Sequence, residues 1–467
     1  MKKSVFMILA GGIFTFSTLT NNSYGQSKPA PFKAAERVVF AGNSITEAGF
    51  YETYIWLYYM THFPDRRISV LNGGVGGDVA EQIYRRLPGD LLPKNPTTLV
   101  VSFGMNDSKY FEYNDSLHPV TEEKRKAIVQ ESYNSYLKIQ DTLRAHPAIH
   151  KIIMSSSPYD ETVKQEGSLF KGKWKTMDEI VSFQKKAAKD QGWDYVDLFH
   201  PMTAINLKEQ KKNPAYTSTG PDRIHPGSAG HLIMAYIFLK SQRLAGKPVA
   251  DFAIKADKRL VAKQQNCQIN TVKSTKEGLS FQYQAKSLPF PLDSVARVWG
   301  NQQIETEALP VIPFMKEFNQ ENMQVTGLQP GNYLLKIDGQ QIAEFSAAAL
   351  KAGINLASLH NTPQYQQSLK IMDLNAKRKD IEAKFRNYYW VQYDFLYDKG
   401  LLFNNTQVAE DTIKANLEKN GWLKVKYDDY TAVRTQRQAL KNQMKAYVDE
   451  IYSINKPKSR LIELIKQ

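Results

Sequence analysis

The chain has 467 residues, 42% hydrophobic and 23% charged, which suits several packed units and excludes a disordered or fibrous protein. Its formal charge of +14 comes without a Lys/Arg block or zinc-ligand spacing, so it reads as a lysine-rich surface, and nucleic acid is not an expected partner. Cys267 is the single cysteine, which excludes an intramolecular disulfide and a cysteine metal cluster.

Residues 1–25 read as an export signal: Lys2-Lys3 is a charged start, Val5 to Phe16 is mostly apolar, and Ser23-Tyr24-Gly25 offers small residues for cleavage before Gln26. The apolar run is too short and too punctuated for a membrane span, and no second stretch of spanning length follows. Export without disulfides points to a bacterial periplasmic or secreted protein with no stable membrane span after cleavage. Residues 26–35, with Pro29 and Pro31, read as a linker.

From Glu36 strands and helices alternate. Strands are predicted at Arg37–Ala41, Ile68–Leu71, Thr98–Phe103, Lys151–Met154 and Trp193–Leu198. Helices are predicted at Tyr51–His62, Asp78–Leu87, Thr121–Ala145, Lys175–Gln191 and Ser228–Leu244. This alternation argues for a parallel, doubly wound α/β sheet over residues 36–247. Beyond Gly246-Lys-Pro248, residues 258–346 hold short alternating segments with turn signals between them. These are Leu279–Tyr283, Val295–Trp299, Met323–Thr326 and Tyr333–Ile337, and they predict a small antiparallel β domain. Residues 347–467 are predicted to be helical, with long runs at Thr362–Asp398 and Tyr430–Ile454.

Four polar motifs fall after strands or in loops at the sheet's carboxyl edge, where ligands of such sheets sit. Gly42-Asn43-Ser44 places a hydroxyl after a strand; serine is a weak nucleophile until a base takes its proton. Asp222-Arg-Ile-His225 supplies an imidazole that titrates near neutrality and a carboxylate within one loop turn of it, the arrangement of a serine triad. Asn72-Gly-Gly-Val-Gly-Gly77-Asp78 and Gly104-Met-Asn106-Asp107 offer the Gly77 N–H and the Asn106 carboxamide, with the Ser44 N–H, as donors to an oxyanion. Asp78 and Asp107 fit a role in fixing these loops, and Asn43 a role in shaping the serine turn. Glu47 reads as a solvated loop acid sooner than a substrate contact. His200, with Asp197 three residues before it, ranks behind His225. Tyr51, Tyr54 and Trp56 suit core packing at least as well as stacking on a sugar. No spacing suggests a metal site, and no cofactor is expected.

These four blocks resemble those of the SGNH hydrolases, the GDSL esterase/lipase family, over about residues 36–245. The stretch from Asn72 to Leu87 is similar to the second block of the platelet-activating-factor acetylhydrolase catalytic subunits. The resemblance implies a flavodoxin-like three-layer α/β/α fold and metal-free ester hydrolysis. It also implies Ser44 as nucleophile, Gly77 and Asn106 as oxyanion donors, and His225 as base with Asp222 as its partner. The usual Gly-Asp-Ser reads Gly42-Asn43-Ser44 here; Asn keeps an acceptor oxygen but loses the charge. The expected function is an exported serine esterase cutting acetyl esters, on a small molecule or a polysaccharide, with carbohydrate favoured by analogy. Alternatives are a lysophospholipase or thioesterase of the same family, or a non-catalytic carbohydrate- or envelope-binding protein on a hydrolase scaffold. The acyl group, the alcohol, the oligomeric state and the role of the β and helical regions are not readable from the chain.

Overall fold

The computed structural model describes residues 27–115 and 117–467. The expected export signal, residues 1–25, and its cleavage point before Gln26 lie outside the described residues. Five strands, β1 (Arg37–Gly42), β2 (Ser69–Gly74), β3 (Thr98–Phe103), β4 (His150–Ser155) and β5 (Asp194–Val196), form a parallel sheet in the order β2-β1-β3-β4-β5. Every residue of β3 is buried, because helices cover both faces of the sheet; this is why the strand is apolar without alternation. The strand order reverses between β1 and β3, which opens a crevice at the carboxyl ends of β1, β2 and β3.

The helices of this unit are α1 (Ser44–Glu47), α2 (Tyr51–His62), α3 (Ala80–Arg86), α4 (Glu122–Arg144), α5 (Lys173–Gln191), α6 (Phe199–Gln210) and α7 (Ser228–Ser241). Thr121 caps α4 by accepting from the Lys124 N–H, and Glu122 and Glu123 place negative charge in its first turn. All twelve residues of α2 are buried. An ordinary surface helix keeps a polar face; α2 has none to keep, because α7 packs on one side of it and a helix from the far end of the chain on another.

Two further sheets follow. One is ordered β13-β10-β6-β7, from β6 (Ala250–Lys255), β7 (Leu260–Gln265), β10 (Glu321–Thr326) and β13 (Ile354–Asn355). The other is ordered β12-β11-β14-β9-β8, from β8 (Cys267–Ser274), β9 (Gly278–Ala285), β11 (Asn332–Ile337), β12 (Gln340–Ser346) and β14 (Arg460–Lys466). They share a core that includes Phe252, Phe281, Val325, Leu335 and Ile462. The remaining helices are α8 (Phe314–Phe318), α9 (Ala347–Ala352), α10 (Pro363–Trp390), α11 (Gln407–Lys414) and α12 (Gly421–Ile454). Helices α10 and α12 pack along each other through Ile381, Phe385, Tyr430 and Val433, and α10 is the helix that covers α2.

Several expectations need correction. The stretch 26–35, expected to be a linker, is pinned to the first core where it is described, from residue 27: Phe32 is buried and its N–H donates to Tyr59 Oη at 2.9 Å. The β region starts at Ala250 rather than 258, and it is not wholly antiparallel, since β6 and β10 run parallel. Val295–Trp299 is a loop, because the chain between β9 and β10 leaves the β sheets to bury Leu288, Phe290 and Phe314 in the first core. The chain after 347 does not stay helical. Its last strand, β14, threads between β9 and β11 and buries Ile462 and Leu464, the alternate residues of an Arg-Leu-Ile-Glu-Leu-Ile-Lys run.

Candidate active site

The crevice at the β1/β3 switch point is built from three loops and one turn. After β1 the chain enters α1 at Ser44. Asn43 caps that turn: it is buried, and its Oδ1 accepts from the Ile45 N–H at 3.1 Å. An acceptor oxygen is all that this cap requires, so Asn in place of Asp preserves the turn. A Cβ on Gly42 would lie 2.2 Å from Thr46 Oγ1, so no side chain fits before the turn.

The loop after β2 is tied down by Asn72. Its Nδ2 donates to Thr46 O at 2.6 Å and to Glu52 Oε1 at 2.7 Å, and its Oδ1 accepts from the Gly74 N–H at 2.8 Å. Gly77 follows at φ +89°, in the region that favours glycine, and a Cβ there would meet nothing within 4 Å. Among the described residues, neither the Ser44 N–H nor the Gly77 N–H has a protein acceptor.

Asp107 organises the loop after β3. It is buried and accepts from the Gly104 N–H (2.8 Å), the Ala80 N–H (2.9 Å) and Ser132 Oγ (3.0 Å), so one carboxylate fixes both the β3 loop and the start of α3. Asn106 is held beside the glycine loop, with Nδ2 donating to Asp78 O at 3.0 Å; the second hydrogen of that amide is unspent. Asp78 turns away from the crevice and pairs with Arg86, whose Nε lies 2.8 Å from its Oδ2.

Asp222 and His225 occupy the loop before α7. Asp222 Oδ1 accepts from the Ile224 and His225 N–H groups at 2.9 and 2.8 Å, and its Oδ2 lies 2.5 Å from His225 Nδ1. His225 Nε2 in turn lies 2.8 Å from Ser44 Oγ. With Nδ1 donating to the carboxylate, Nε2 offers its lone pair to the serine hydroxyl. Burial pushes the Asp222 carboxyl up, but the hydrogen bonds and charge of His225 outweigh it and hold it below its usual range. The loop's hinge is Arg223 at φ +67°; its buried guanidinium donates to the carbonyls of Asp160, Val163 and Gln165 and holds that conformation.

Ser44, Gly77, Asn106, Asp222 and His225 thus converge from four separate stretches of sequence. A hydroxyl, a base, its acid partner and three N–H donors can together carry acyl transfer.

The chain is similar over nearly its full length to a solved structure described as a gut microbial diltiazem-metabolizing enzyme. The identity is 43% and the TM-score 0.92, with 95% of this chain and 100% of that chain covered. Residues 40–233 match the GDSL-like lipase/acylhydrolase family model, and residues 369–456 match the diltiazem deacetylase C-terminal helical domain. The chain belongs to the GDSL-like lipase/acylhydrolase family. This GDSL acylhydrolase is an ester-hydrolysing serine hydrolase of the SGNH superfamily. An acetylxylan esterase from Geobacillus stearothermophilus is 25% identical over 222 residues, 44% of this chain and 94% of that protein.

Other candidate residues of the GDSL acylhydrolase fall elsewhere. His200 bonds Asp197 at 2.8 Å and Asp178 at 3.0 Å on the surface, and contacts neither Ser44 nor its loop. Tyr51, Tyr54 and Trp56 are buried in the first core and are not a sugar platform. Glu47 is not a solvated acid: it is largely buried and pairs with Lys426 of α12 at 2.8 Å.

Three groups that hold the site escaped the sequence reading. Lys173, fully buried at the start of α5, donates to Met105 O (2.6 Å), Lys109 O (2.8 Å) and Ser108 Oγ, which clamps the Asn106 loop from behind. Glu382 on α10 accepts from the Asn72 N–H at 2.9 Å. Arg386, one turn further on, reaches Asp90 with two bonds of 2.8 and 2.9 Å, and Asp90 in turn holds Arg86. No local motif marks any of them, because each partner is distant in sequence.

Proposed function

We propose that the chain is an exported esterase that removes acetyl groups through an acyl-Ser44 intermediate. Residues 36–247 would carry the chemistry, and the β and helical regions would brace it. The observation that supports this best is the continuous contact from Asp222 through His225 to Ser44, beside two amides with no protein acceptor.

In this reading His225 Nε2 takes the Ser44 proton as Oγ attacks the ester carbonyl. Asp222 stabilises the imidazolium that forms. The developing oxyanion is met by the N–H groups of Ser44 and Gly77 and by the Asn106 amide; each donor of this kind contributes about 3 kcal/mol. The imidazolium then protonates the leaving alcohol, and water activated by the same histidine releases acetate from Ser44.

Carbohydrate as the alcohol is favoured by the acetylxylan esterase likeness. A second reading, deacetylation of small drug-like esters, is favoured by the full-length likeness to the diltiazem-metabolizing enzyme and by the shared helical domain. Acetate release from acetylated xylo-oligosaccharides, diltiazem and p-nitrophenyl acetate separates the two, with Ser44→Ala as control. Equal, near-background rates for both proteins on all three substrates would remove the esterase reading.

A further inference from the structure

Glu47 ends the short helix that begins at Ser44, and its carboxylate lies against the glycine loop. A Cβ on Gly76 would stand 2.5 Å from Glu47 Oε2 and 3.8 Å from Ser44 Cβ. A carboxylate is thus held at the edge of the place where ester cleavage develops negative charge. Such a charge opposes the transition state unless it is cancelled. The one cation that bonds it among the described residues comes from α12: Lys426 Nζ is 2.8 Å from Glu47 Oε1. Lys426 is in turn fixed by Asn387 Oδ1 at 2.7 Å and lies over the Trp390 ring at 5.5 Å, both on α10. Both charged side chains are largely buried, so solvent screens the pair poorly. Two other acids lie nearby: Asp78, which is paired with Arg86, and Asp394, whose Oδ1 accepts from Gln82 Nε2 at 3.0 Å and whose Oδ2 has no partner among the described residues.

We infer that Lys426 is a positioning residue for ester cleavage: it neutralises and holds Glu47 beside the oxyanion site, so the C-terminal helices set the electrostatics of Ser44. The inference rests on the esterase reading above. An unpaired carboxylate this close to the developing oxyanion raises the barrier and slows kcat.

The test compares full-length wild type, Lys426→Met and Glu47→Gln/Lys426→Met with p-nitrophenyl acetate, and checks folding by near-UV circular dichroism. Lys426→Met is expected to lower kcat by about 10- to 100-fold with KM little changed, and the double variant to recover most of that loss. A structural brace would act through folding instead: the urea midpoint of Lys426→Met would fall while kcat per folded molecule stayed at the wild-type value. If Lys426→Met does not fold, Lys426→Gln replaces it in the same comparison. A double variant as slow as the single one, or a Lys426→Met enzyme with wild-type kcat, overturns the inference alone. An inactive wild type overturns the esterase reading and this inference with it.

Discussion

Asp90 offers the sharpest stability test of how the helical region is joined to the sheet. It is fully buried and faces three cations: Arg86 Nη1 at 2.6 Å, Arg386 through two bonds, and Lys94. Arg86 is shared with Asp78, so the cluster holds two carboxylates against three cations. Asp90→Asn keeps the volume but leaves Arg386 and Lys94 without their carboxylate and Arg86 with Asp78 alone, the situation in which breaking a buried pair costs about 3–5 kcal/mol. Arg386→Met leaves two acids with two cations and removes mainly hydrogen bonds to a charged group, a loss of about 1.5–3 kcal/mol. Asp90→Asn is therefore expected to be the more damaging, although it is the more conservative change. With an m-value of about 2–3 kcal/mol per molar, it moves the first urea midpoint down by about 1–2 M. Burial, and then Arg386, already hold the Lys94 ammonium down to about 7. Without Asp90 it sheds its proton more readily, so the loss is larger at pH 6 than at pH 8. Urea unfolding followed by tryptophan fluorescence measures this. A shift below about 0.3 M, or an Arg386→Met protein less stable than Asp90→Asn, would refute the reasoning.

Other outcomes follow from the same geometry. Asn106→Ala should cut kcat by about 100- to 1000-fold with KM nearly unchanged, measured with p-nitrophenyl acetate, because the amide acts on charge that develops only in the transition state. Asp222→Asn should lower kcat by about 1000-fold or more while the fold persists, since Asn no longer stabilises the imidazolium; activity and circular dichroism together check this. Glu305 is buried, and burial raises its carboxyl to about 8, so between about 4.5 and 8 the folded chain binds a proton that the unfolded chain releases. Its contribution to stability is present below about 4.5 and is lost as pH rises through about 8. Glu305→Gln should therefore gain on wild type from pH 5 to pH 8, by on the order of 1 kcal/mol per pH unit, seen as a widening gap between melting temperatures.

The parts of the molecule that sequence made legible are those with local causes. The β3 run Thr-Leu-Val-Val-Ser-Phe is apolar because both faces of the sheet are covered, and the glycines of Asn72–Gly77 stand where neighbouring atoms leave no room or φ turns positive. Asp222 and His225 share one loop, so their contact is a matter of spacing. What escaped notice depends on partners far along the chain. Asp90 and Arg386 are 296 residues apart, and Glu47 and Lys426 are 379 apart; each reads alone as an ordinary charge on a helix or loop. The burial of α2 has the same cause: its covering helix arrives more than 300 residues later, so its aromatic residues suit a core or a sugar platform until α10 is in place. The terminal strand β14 does carry the period-two pattern, but it follows a long helix and its partners, β9 and β11, lie far upstream.

The central claim is that Ser44 is the nucleophile, activated by His225. A fluorophosphonate reacts only with a serine so activated, and peptide mapping by mass spectrometry locates the adduct. The account predicts one label, on the peptide that carries Ser44, lost in Ser44→Ala and strongly slowed in His225→Ala. An unlabelled wild-type protein, or a label on a different serine, would contradict it.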